Sequence, residues 1–193
     1  MDAIKNIKIP DESHRTTVTY IGTVKESKDI ETLVKAFEKL NKEKYLLKII
    51  GLRNDDFVDI TEGIENIELH SFLPKDQIME QINESDIMIY TSDQRLHQYR
   101  YTSPMKLFEY MASKRPVIAA DLPTTREIAG DSIWYYTPCD YQELAEKIRQ
   151  LDDEHTEEKV SKAFEIVKSQ YTWEDKAVFI RRKLEELDID RKN

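Results

Sequence analysis

Cysteine and glycine are both scarce in this sequence. Cys139 is the single cysteine, so the chain cannot build a disulfide framework, and a reducing, cytoplasmic setting is the default expectation. Only four glycines are present, so few turns can use left-handed backbone geometry. No apolar run approaches the roughly 18 residues that a membrane-spanning helix needs, and the first residues do not have the pattern of a signal peptide.

With 38 acidic and 29 basic residues, the sequence carries more negative than positive charge. Charged residues make up 35% of the 193 residues, the formal net charge is −9, and no cluster of lysine or arginine offsets it. This balance argues against a nucleic-acid partner, which would require a basic surface. The length is enough for one domain with a full core but not for two domains of ordinary size.

Strand-like and helix-like segments alternate along the chain with short connections. The apolar runs at residues 87–90 and 117–120 are typical of strands that helices cover on both faces of a parallel sheet. The alternation predicts an α/β fold with a doubly wound, Rossmann-like parallel sheet. We expect this domain to occupy residues 17–187, after a lead-in or linker at 1–16 and before a tail at 188–193.

The stretch 102–123, TSPMKLFEYMASKRPVIAADLP, predicts a helix, a turn and a buried strand. Ser103 suits the N-cap, and Pro104 suits the first helical position, because neither needs the amide that a helix start leaves unpaired. On a helical wheel, the apolar residues cluster on one side and the polar residues on the other. The expected inward residues are Met105, Leu107, Phe108, Met111 and Ala112, and the expected outward residues are Lys106, Glu109, Tyr110 and Ser113.

The start of this helix is a candidate anion site. It follows a strand, and ligands of such sheets bind outside the carboxyl ends of the strands, where free helix amides attract negative charge. Lys106 would add a full positive charge, and Glu109 would add a carboxylate that can accept hydrogen bonds from two hydroxyls. This outline fits a nucleotide diphosphate with its ribose. An ordinary solvated helix face, with Lys106 and Glu109 as an i,i+3 pair, fits the same spacing.

The run SPMKLFEYMASKRPVIAADLPTTREIAGD resembles the donor-site signature of GT-B glycosyltransferases of family 4, which are retaining enzymes that use sugar nucleotides. Many members carry S-P-x-K-x-F-E-Y-x-A, then P-V-x-A, then L-P-x-x-R-E. The resemblance implies that this chain is the Rossmann-like C-terminal half of a GT-B enzyme, and that Glu109 binds the ribose diol. The pair Arg126 and Glu127 matches the R-E of the signature, and we expect it to be structural, as a self-satisfying pair on a short helix.

The first predicted strand leads into YIGTVKESKD, which resembles the family pattern G-R-x-x-x-x-K-G. Gly22 matches the first glycine, and Lys28 matches the lysine that holds the donor diphosphate. Thr23 stands in place of the arginine, and Asp29 stands in place of the second glycine. Because Thr23 carries no charge, the resemblance implies that Lys28, the helix amides and Lys106 stabilise the phosphates.

Two further segments match the family in part. In the family's E-x7-E arrangement, Glu109 is the second glutamate, but Tyr101 stands where the first would contact the donor sugar, so the choice of sugar stays open. The segment HSFLP matches a family segment that packs beside the base, although His70 is also a common kind of strand-end histidine. The predicted substrate contacts are therefore Gly22, Thr23, Lys28, His70, Phe72, Leu73, Tyr101, Thr102, Ser103, Pro104, Met105, Lys106 and Glu109, with Arg100 as a further candidate.

The resemblance implies retaining transfer of a sugar from a nucleotide diphosphate sugar to a glycan or lipid-linked acceptor, as in polysaccharide biosynthesis. It implies no cofactor and no bound metal. It also implies an N-terminal acceptor-binding domain, in the same chain or a separate one, which would supply any peripheral contact with the inner face of the membrane. Without that half, we expect the chain to be inactive. A non-catalytic nucleotide-binding or interaction module on the same fold is the alternative. A sugar-nucleotide epimerase is a third hypothesis, but the catalytic acids and histidine that such an enzyme needs are not evident in this sequence.

Overall fold

The computed structural model describes residues 14–23, 29–52, 61–92, 104–153 and 155–190. Within these ranges, six strands form one parallel sheet in the order β3-β2-β1-β4-β5-β6. The strands are β1 (Thr16–Ile21), β2 (Tyr45–Leu52), β3 (Ile67–Ser71), β4 (Ile87–Tyr90), β5 (Val117–Ala120) and β6 (Trp134–Tyr136). The predicted doubly wound, Rossmann-like sheet is confirmed.

Helices follow the strands on both faces of the sheet. They are α1 (Ile30–Glu38), α2 (Lys75–Glu84), α3 (Met105–Ala112), α4 (Pro123–Ala129), α5 (Tyr141–Asp153), α6 (Glu157–Gln170) and α7 (Trp173–Asp190). Helices α1 and α5 pack together on one face, and α3 and α6 pack together on the other. Helix α7 continues through Asp190, into the segment that we expected to be a tail. In the part of the chain that the structure describes, none of the helices has the length and apolar character needed to cross a membrane.

Alternate residues of each strand supply the two cores, because successive strand side chains point to opposite faces. Val18 and Ile89 belong to the core under α1 and α5, whereas Ile21 and Met88 belong to the core under α3 and α6. Burial on both faces explains why these strands are almost continuously apolar in the sequence.

The inward face of α3 differs from the prediction. Tyr110, which we placed outward, is only 1% exposed, and Met105, which we placed inward, is 50% exposed. Ala112 is exposed as well. The buried residues are Leu107, Tyr110 and Met111, which follow the i, i+3, i+4 spacing of a helix face. A tyrosine can be buried where its hydroxyl finds a partner, and Tyr110 does so, as described below.

The start of α3 is also one residue later than predicted. Pro104 is the N-cap and Met105 is the first helical residue. Ser103, the predicted N-cap, lies outside the described residues. The helix still begins with a proline before it, which lacks the amide that a helix start would leave unpaired.

Gly51 brings the end of β2 unusually close to the end of β1. Its φ is +115°, and a Cβ at this position would overlap the carbonyl oxygen of Gly22. The amide of Gly22 donates to the carbonyl of Ile50 at 2.9 Å, and the pairing of β2 with β3 shifts register between Ile50 and Leu52. Gly51 therefore forms a bulge whose missing side chain leaves room for the segment that follows β1.

We expect Gly51→Ala to destabilise the fold by about 3 kcal/mol or more, because it adds backbone strain to a steric overlap with another backbone. Gly63→Ala is the matched control. Gly63 also has a positive φ, +79°, but its Cβ would meet nothing within 4 Å, so we expect a cost of about 1 kcal/mol. Urea denaturation of both variants measures the difference, and equal losses would contradict the role given to the close approach.

Several tyrosines in the two cores have a raised pKa. Burial is the main cause for Tyr20, Tyr90, Tyr110 and Tyr136, whose ordinary pKa is 10.0. The folded protein therefore holds these phenolic protons at a pH where the unfolded chain releases them.

This burial predicts a loss of stability in alkaline solution. The contribution of the buried, protonated tyrosines to the free energy of unfolding is complete below about pH 10. It falls as the pH rises above 10 toward the higher pKa values of these tyrosines in the folded state. The free energy of unfolding should decrease by about 1.4 kcal/mol per pH unit for each such tyrosine in that range. Urea denaturation at a series of alkaline pH values, read beside tyrosinate absorbance, measures it. Full ionisation of all tyrosines near pH 10 in a protein that stays folded would contradict the prediction.

Candidate functional site

The sheet has its topological switch point between β1 and β4. From β1 the chain builds β2 and β3 on one side, and then returns to place β4 on the other side. The two strands are in register only at Val18↔Ile87 and Thr19↔Met88, so their carboxyl ends diverge. In doubly wound folds, the crevice at such a point is the usual ligand site.

A cavity of about 250 Å³ occupies this divergence. Its described lining consists of Tyr20, Ile21, Gly22, Thr23, Tyr90, Thr91, Lys106 and Tyr110. Three of the predicted site residues are therefore brought together: Gly22 and Thr23 from the end of β1, and Lys106 from the first turn of α3. Lys106 is the only charged residue among the described residues of the lining, so the cavity offers a cation to an anionic group.

Tyrosine hydroxyls organise the walls of this cavity. The hydroxyl of Tyr110 donates to the carbonyl of Ile21 and accepts from the amide of the same residue, both at 2.9 Å. The hydroxyl of Tyr20 donates to the carbonyl of Thr23 at 3.3 Å. The bonds of Tyr110 connect α3 to the end of β1, and the bond of Tyr20 connects β1 to the segment that follows it.

Glu109 lies beside this cavity rather than in its lining. Its Oε2 is 2.8 Å from Nζ of Lys106, and both side chains are about half exposed. The i,i+3 pair that the spacing allowed is thus the arrangement in the structure. Both charges remain accessible, so a role of Glu109 toward a ribose stays a prediction.

A larger groove of about 770 Å³ lies along the other side of α3, where the start of α4 and the α6–α7 junction meet it. Its described lining is Pro104, Met105, Phe108, Glu109, Ala112, Thr124, Glu127, Ile128, Val167, Gln170, Tyr171, Thr172, Trp173, Asp175, Lys176 and Phe179. The rings of Phe108 and Tyr171 pack with centroids 4.7 Å apart. Of the predicted site residues, Pro104, Met105 and Glu109 belong to this groove.

The predicted base-side residues lie apart from the cavity. His70 is at the end of β3, two strands away from β1 in the sheet, and Phe72 and Leu73 follow it. Nε2 of His70 is 3.5 Å from Oε2 of Glu68, and Phe72 is more than half exposed. They share the same edge of the sheet as the cavity but not its described lining.

Five other candidates lie outside the described residues. These are Lys28, Arg100, Tyr101, Thr102 and Ser103. Their predicted roles toward phosphate and sugar stay predictions.

Asp29 has left-handed backbone geometry, with φ 49° and ψ 46°. This is the position where the family pattern has its second glycine, a residue that adopts such geometry freely. Aspartate is one of the few other residue types that tolerate it. Oδ1 of Asp29 also accepts a hydrogen bond from Oγ1 of Thr32 at 2.8 Å, which fixes the side chain at the start of α1. The departure from the pattern is therefore compatible with the same turn.

The predicted pair of Arg126 with Glu127 is wrong. Arg126 makes a bidentate contact with Asp121, through Nε at 2.7 Å and Nη2 at 2.8 Å, and it also lies 3.6 Å above the ring of Tyr135. The hydrogen bond from Arg126 lowers the pKa of the Asp121 carboxyl. Consecutive helix positions point in different directions, so Glu127 faces the groove instead.

Sequence reasoning missed the tyrosines of the cavity. Tyr110 was placed on the outer face, and Tyr20 and Tyr90 were assigned only to strands. The signal that could have identified Tyr110 is its spacing of three residues from Leu107, beside Met111, which places it on the same helix face as these apolar residues. Among the described residues, no cluster of histidine, cysteine or acidic side chains could hold a metal ion.

Many solved structures share the fold, and three of them show the extent of the similarity. Sucrose-phosphate synthase from Thermosynechococcus elongatus matches with a TM-score of 0.74 and 16% identity, over 94% of this chain and 47% of that one. A mutant form of S. aureus TarM, in complex with Fondaparinux, alpha-GlcNAc-glycerol and UDP, matches with a TM-score of 0.67 and 20% identity, over 88% of this chain and 35% of that one. Anabaena HepE, in complex with UDP and glucose, matches with a TM-score of 0.68 and 17% identity, over 90% of this chain and 48% of that one. The chain therefore spans about a third to a half of the length of these structures.

The search by sequence among curated proteins found no match. The sequence pattern of one family does match, over residues 15–154, which is well over half of the chain. The match includes both segments that line the cavity at the switch point. The chain belongs to the family of group 1 glycosyl transferases.

Proposed function

We propose that this chain is the donor-binding domain of a retaining glycosyltransferase, which moves a sugar from a nucleotide diphosphate sugar to a glycan or lipid-linked acceptor. One observation carries the proposal: the segment after β1 and the first turn of α3 meet in one cavity at the switch point, with Lys106 in its lining. Family membership and the two predicted donor segments support the same assignment.

The diphosphate is the part of the donor that this cavity suits. Lys106 supplies positive charge, and we expect Lys28, the hydroxyl of Thr23 and free amides at the start of α3 to complete the site. In the proposed front-face route, the bond from the anomeric carbon to the phosphate oxygen breaks, and the acceptor oxygen bonds to the same face. The leaving phosphate takes the proton of the acceptor hydroxyl. Such a route needs groups that stabilise charge on the leaving diphosphate, and no separate base.

The ion pair between Lys106 and Glu109 suggests how a ribose would bind. An exposed pair of this kind contributes at most about 1 kcal/mol, so a diphosphate can compete for Lys106 at little cost. The carboxylate of Glu109 would then accept hydrogen bonds from the ribose diol. We place the base toward His70, Phe72 and Leu73 at the same edge of the sheet. Tyr101, Thr102, Ser103, Pro104 and Met105 remain the proposed contacts around the sugar and phosphates.

The acceptor-binding half is the proposed partner, in the same chain or as a separate one. Along α7, several large apolar side chains are exposed, among them Trp173 at 78%, Phe179 at 60% and Leu184 at 58%. Exposed apolar surface of this extent usually marks an interface. We propose that the acceptor-binding half covers this apolar surface of α7, and that the same half makes any contact with the inner face of the membrane. We further propose that the enzyme is cytoplasmic and uses no cofactor and no bound metal.

A non-catalytic nucleotide-binding module on the same fold is the second candidate function. The observation that favours it is the weak positive charge of the cavity, where Thr23 stands in place of the family's arginine and Lys106 is already paired with a carboxylate. Fold alone does not fix function, so binding and transfer have to be measured separately.

We expect Lys106→Ala to weaken UDP binding about tenfold, since it removes a charged partner of the phosphates. Glu109→Ala should weaken UDP and uridine alike, because both carry the ribose diol. Isothermal titration of UDP, GDP and uridine measures these effects. Lys183→Ala and Glu186→Ala are matched controls, because these residues form an exposed i,i+3 pair at 2.7 Å on α7. The controls should stay within about twofold of the unchanged chain.

Two results would overturn parts of this assignment. Unchanged nucleotide binding by Glu109→Ala would remove the ribose role. A failure of UDP and GDP to bind, both in this chain and in a complete protein that contains it, would reject the donor-binding proposal altogether.

The 193-residue chain by itself should not transfer sugar. The acceptor hydroxyl has to be held against the anomeric carbon, and positioning of this kind supplies a large part of the rate. Incubation with UDP-glucose, other UDP- and GDP-sugars, and glycan or lipid acceptors, followed by product chromatography, tests this. Robust transfer by the chain alone would contradict the division into two halves.

A further inference from the structure

Strand β1 extends beyond its pairing with β4. The register between them covers Val18 and Thr19, whereas β1 runs to Ile21. Ile21 is 4% exposed, so its amide and carbonyl cannot rely on water. Buried backbone groups of this kind require hydrogen-bond partners, and the diverging end of β4 does not supply them.

The hydroxyl of Tyr110 takes the place of the missing strand. It accepts from the amide of Ile21 and donates to the carbonyl of Ile21, both at 2.9 Å. In a strand, the amide and carbonyl of one residue point to the same side, so one atom can satisfy both. Tyr110 is itself 1% exposed, which leaves its ring little room to move.

This contact joins the two elements that face each other across the cavity. Lys106 lies one turn before Tyr110 on α3, and Gly22 and Thr23 follow Ile21 directly. The segment after Ile21 is held on its other sides as well. Gly22 donates to Ile50 at 2.9 Å, and Tyr20 donates to the carbonyl of Thr23 at 3.3 Å. The bonds at Tyr110 therefore tie α3, which carries Lys106, to the end of β1, from which the segment with Gly22 and Thr23 continues.

We propose that Tyr110 is a positioning residue for diphosphate binding. Its hydroxyl fixes α3 against the end of β1, so that Lys106 and the segment after β1 meet the same phosphate groups. The inference rests on the proposed function of the cavity, and it adds a residue that would touch neither the base nor the sugar.

Tyr110→Phe removes the hydroxyl and keeps the ring. Tyr136→Phe is the matched control, since Tyr136 is 0% exposed and its hydroxyl has no hydrogen-bond partner among the residues that the structure describes. Titrations of UDP and uridine are made with the full chain, well below the melting temperature of each variant. UDP affinity of Tyr110→Phe should fall about tenfold, with uridine affinity within about twofold. A purely structural role would move both ligands together or neither.

A double-mutant cycle tests whether Tyr110 acts through Lys106. If the hydroxyl positions the lysine, Tyr110→Phe combined with Lys106→Ala should bind UDP about as weakly as Lys106→Ala alone. Losses that multiply in the double variant would overturn the inference. Equal UDP affinity in Tyr110→Phe and the unchanged chain would also overturn it, while leaving the proposed function intact.

A measurement on the amide of Ile21 needs no nucleotide. Its hydrogen exchange should be at least about tenfold faster in Tyr110→Phe than in Tyr136→Phe, because Tyr110 supplies its hydrogen bond. If Tyr110→Phe does not fold, hydrogen exchange in the unchanged chain tests the inference instead. Saturating UDP should slow exchange at the Ile21 amide, and an unchanged exchange rate there would reject the inference. Failure of UDP and GDP to bind, both in the unchanged chain and in a complete protein that contains it, would reject the proposed function and this inference together.

Discussion

Two buried backbone groups at the end of β1 impose the constraint on which the site depends. In a doubly wound sheet, the crevice lies where the strand order reverses. Here the pairing of β1 with β4 ends at Thr19, so Ile21 has no strand partner on that side. The structure resolves this with a tyrosine hydroxyl from α3 rather than with a further strand residue. The same arrangement leaves an open space above the sheet and brings a helix start to its rim. The contact of Tyr110 with Ile21 therefore both supplies the hydrogen bonds that the backbone of Ile21 needs and forms part of the cavity wall.

Helix α3 separates two surfaces of different character. On one side is a small cavity with a lysine and several tyrosines, and on the other is a larger groove with many apolar residues. The pair of Lys106 and Glu109 lies at the boundary, with the lysine in the first surface and the carboxylate in the second. Because an exposed pair is weak, either charge can exchange partners without a large cost to the fold. A ligand that spans the helix could use both charges.

The sequence predicted the order of elements well because buried parallel strands and amphipathic helices leave strong periodic signals. It failed where a residue departs from its usual class. Tyr110 was misplaced because burial of a tyrosine depends on a partner 89 positions away in the chain, and no local pattern shows that partner. Arg126 was paired with its neighbour, although its actual partner Asp121 precedes the helix. The close approach at Gly51 was also invisible, since it depends on how β2 bends against β1.

Charge alone does not explain how such a chain would hold an anionic donor. With a formal net charge of −9, the protein as a whole repels a diphosphate. That repulsion is screened beyond about 8–10 Å at physiological ionic strength, so binding is decided by groups close to the ligand. A single lysine near a helix start is effective there only if its distance from the opposite wall is fixed. In the proposed site, the bonds from Tyr110 to Ile21 would set that distance, and Gly51 leaves room for the segment that follows β1.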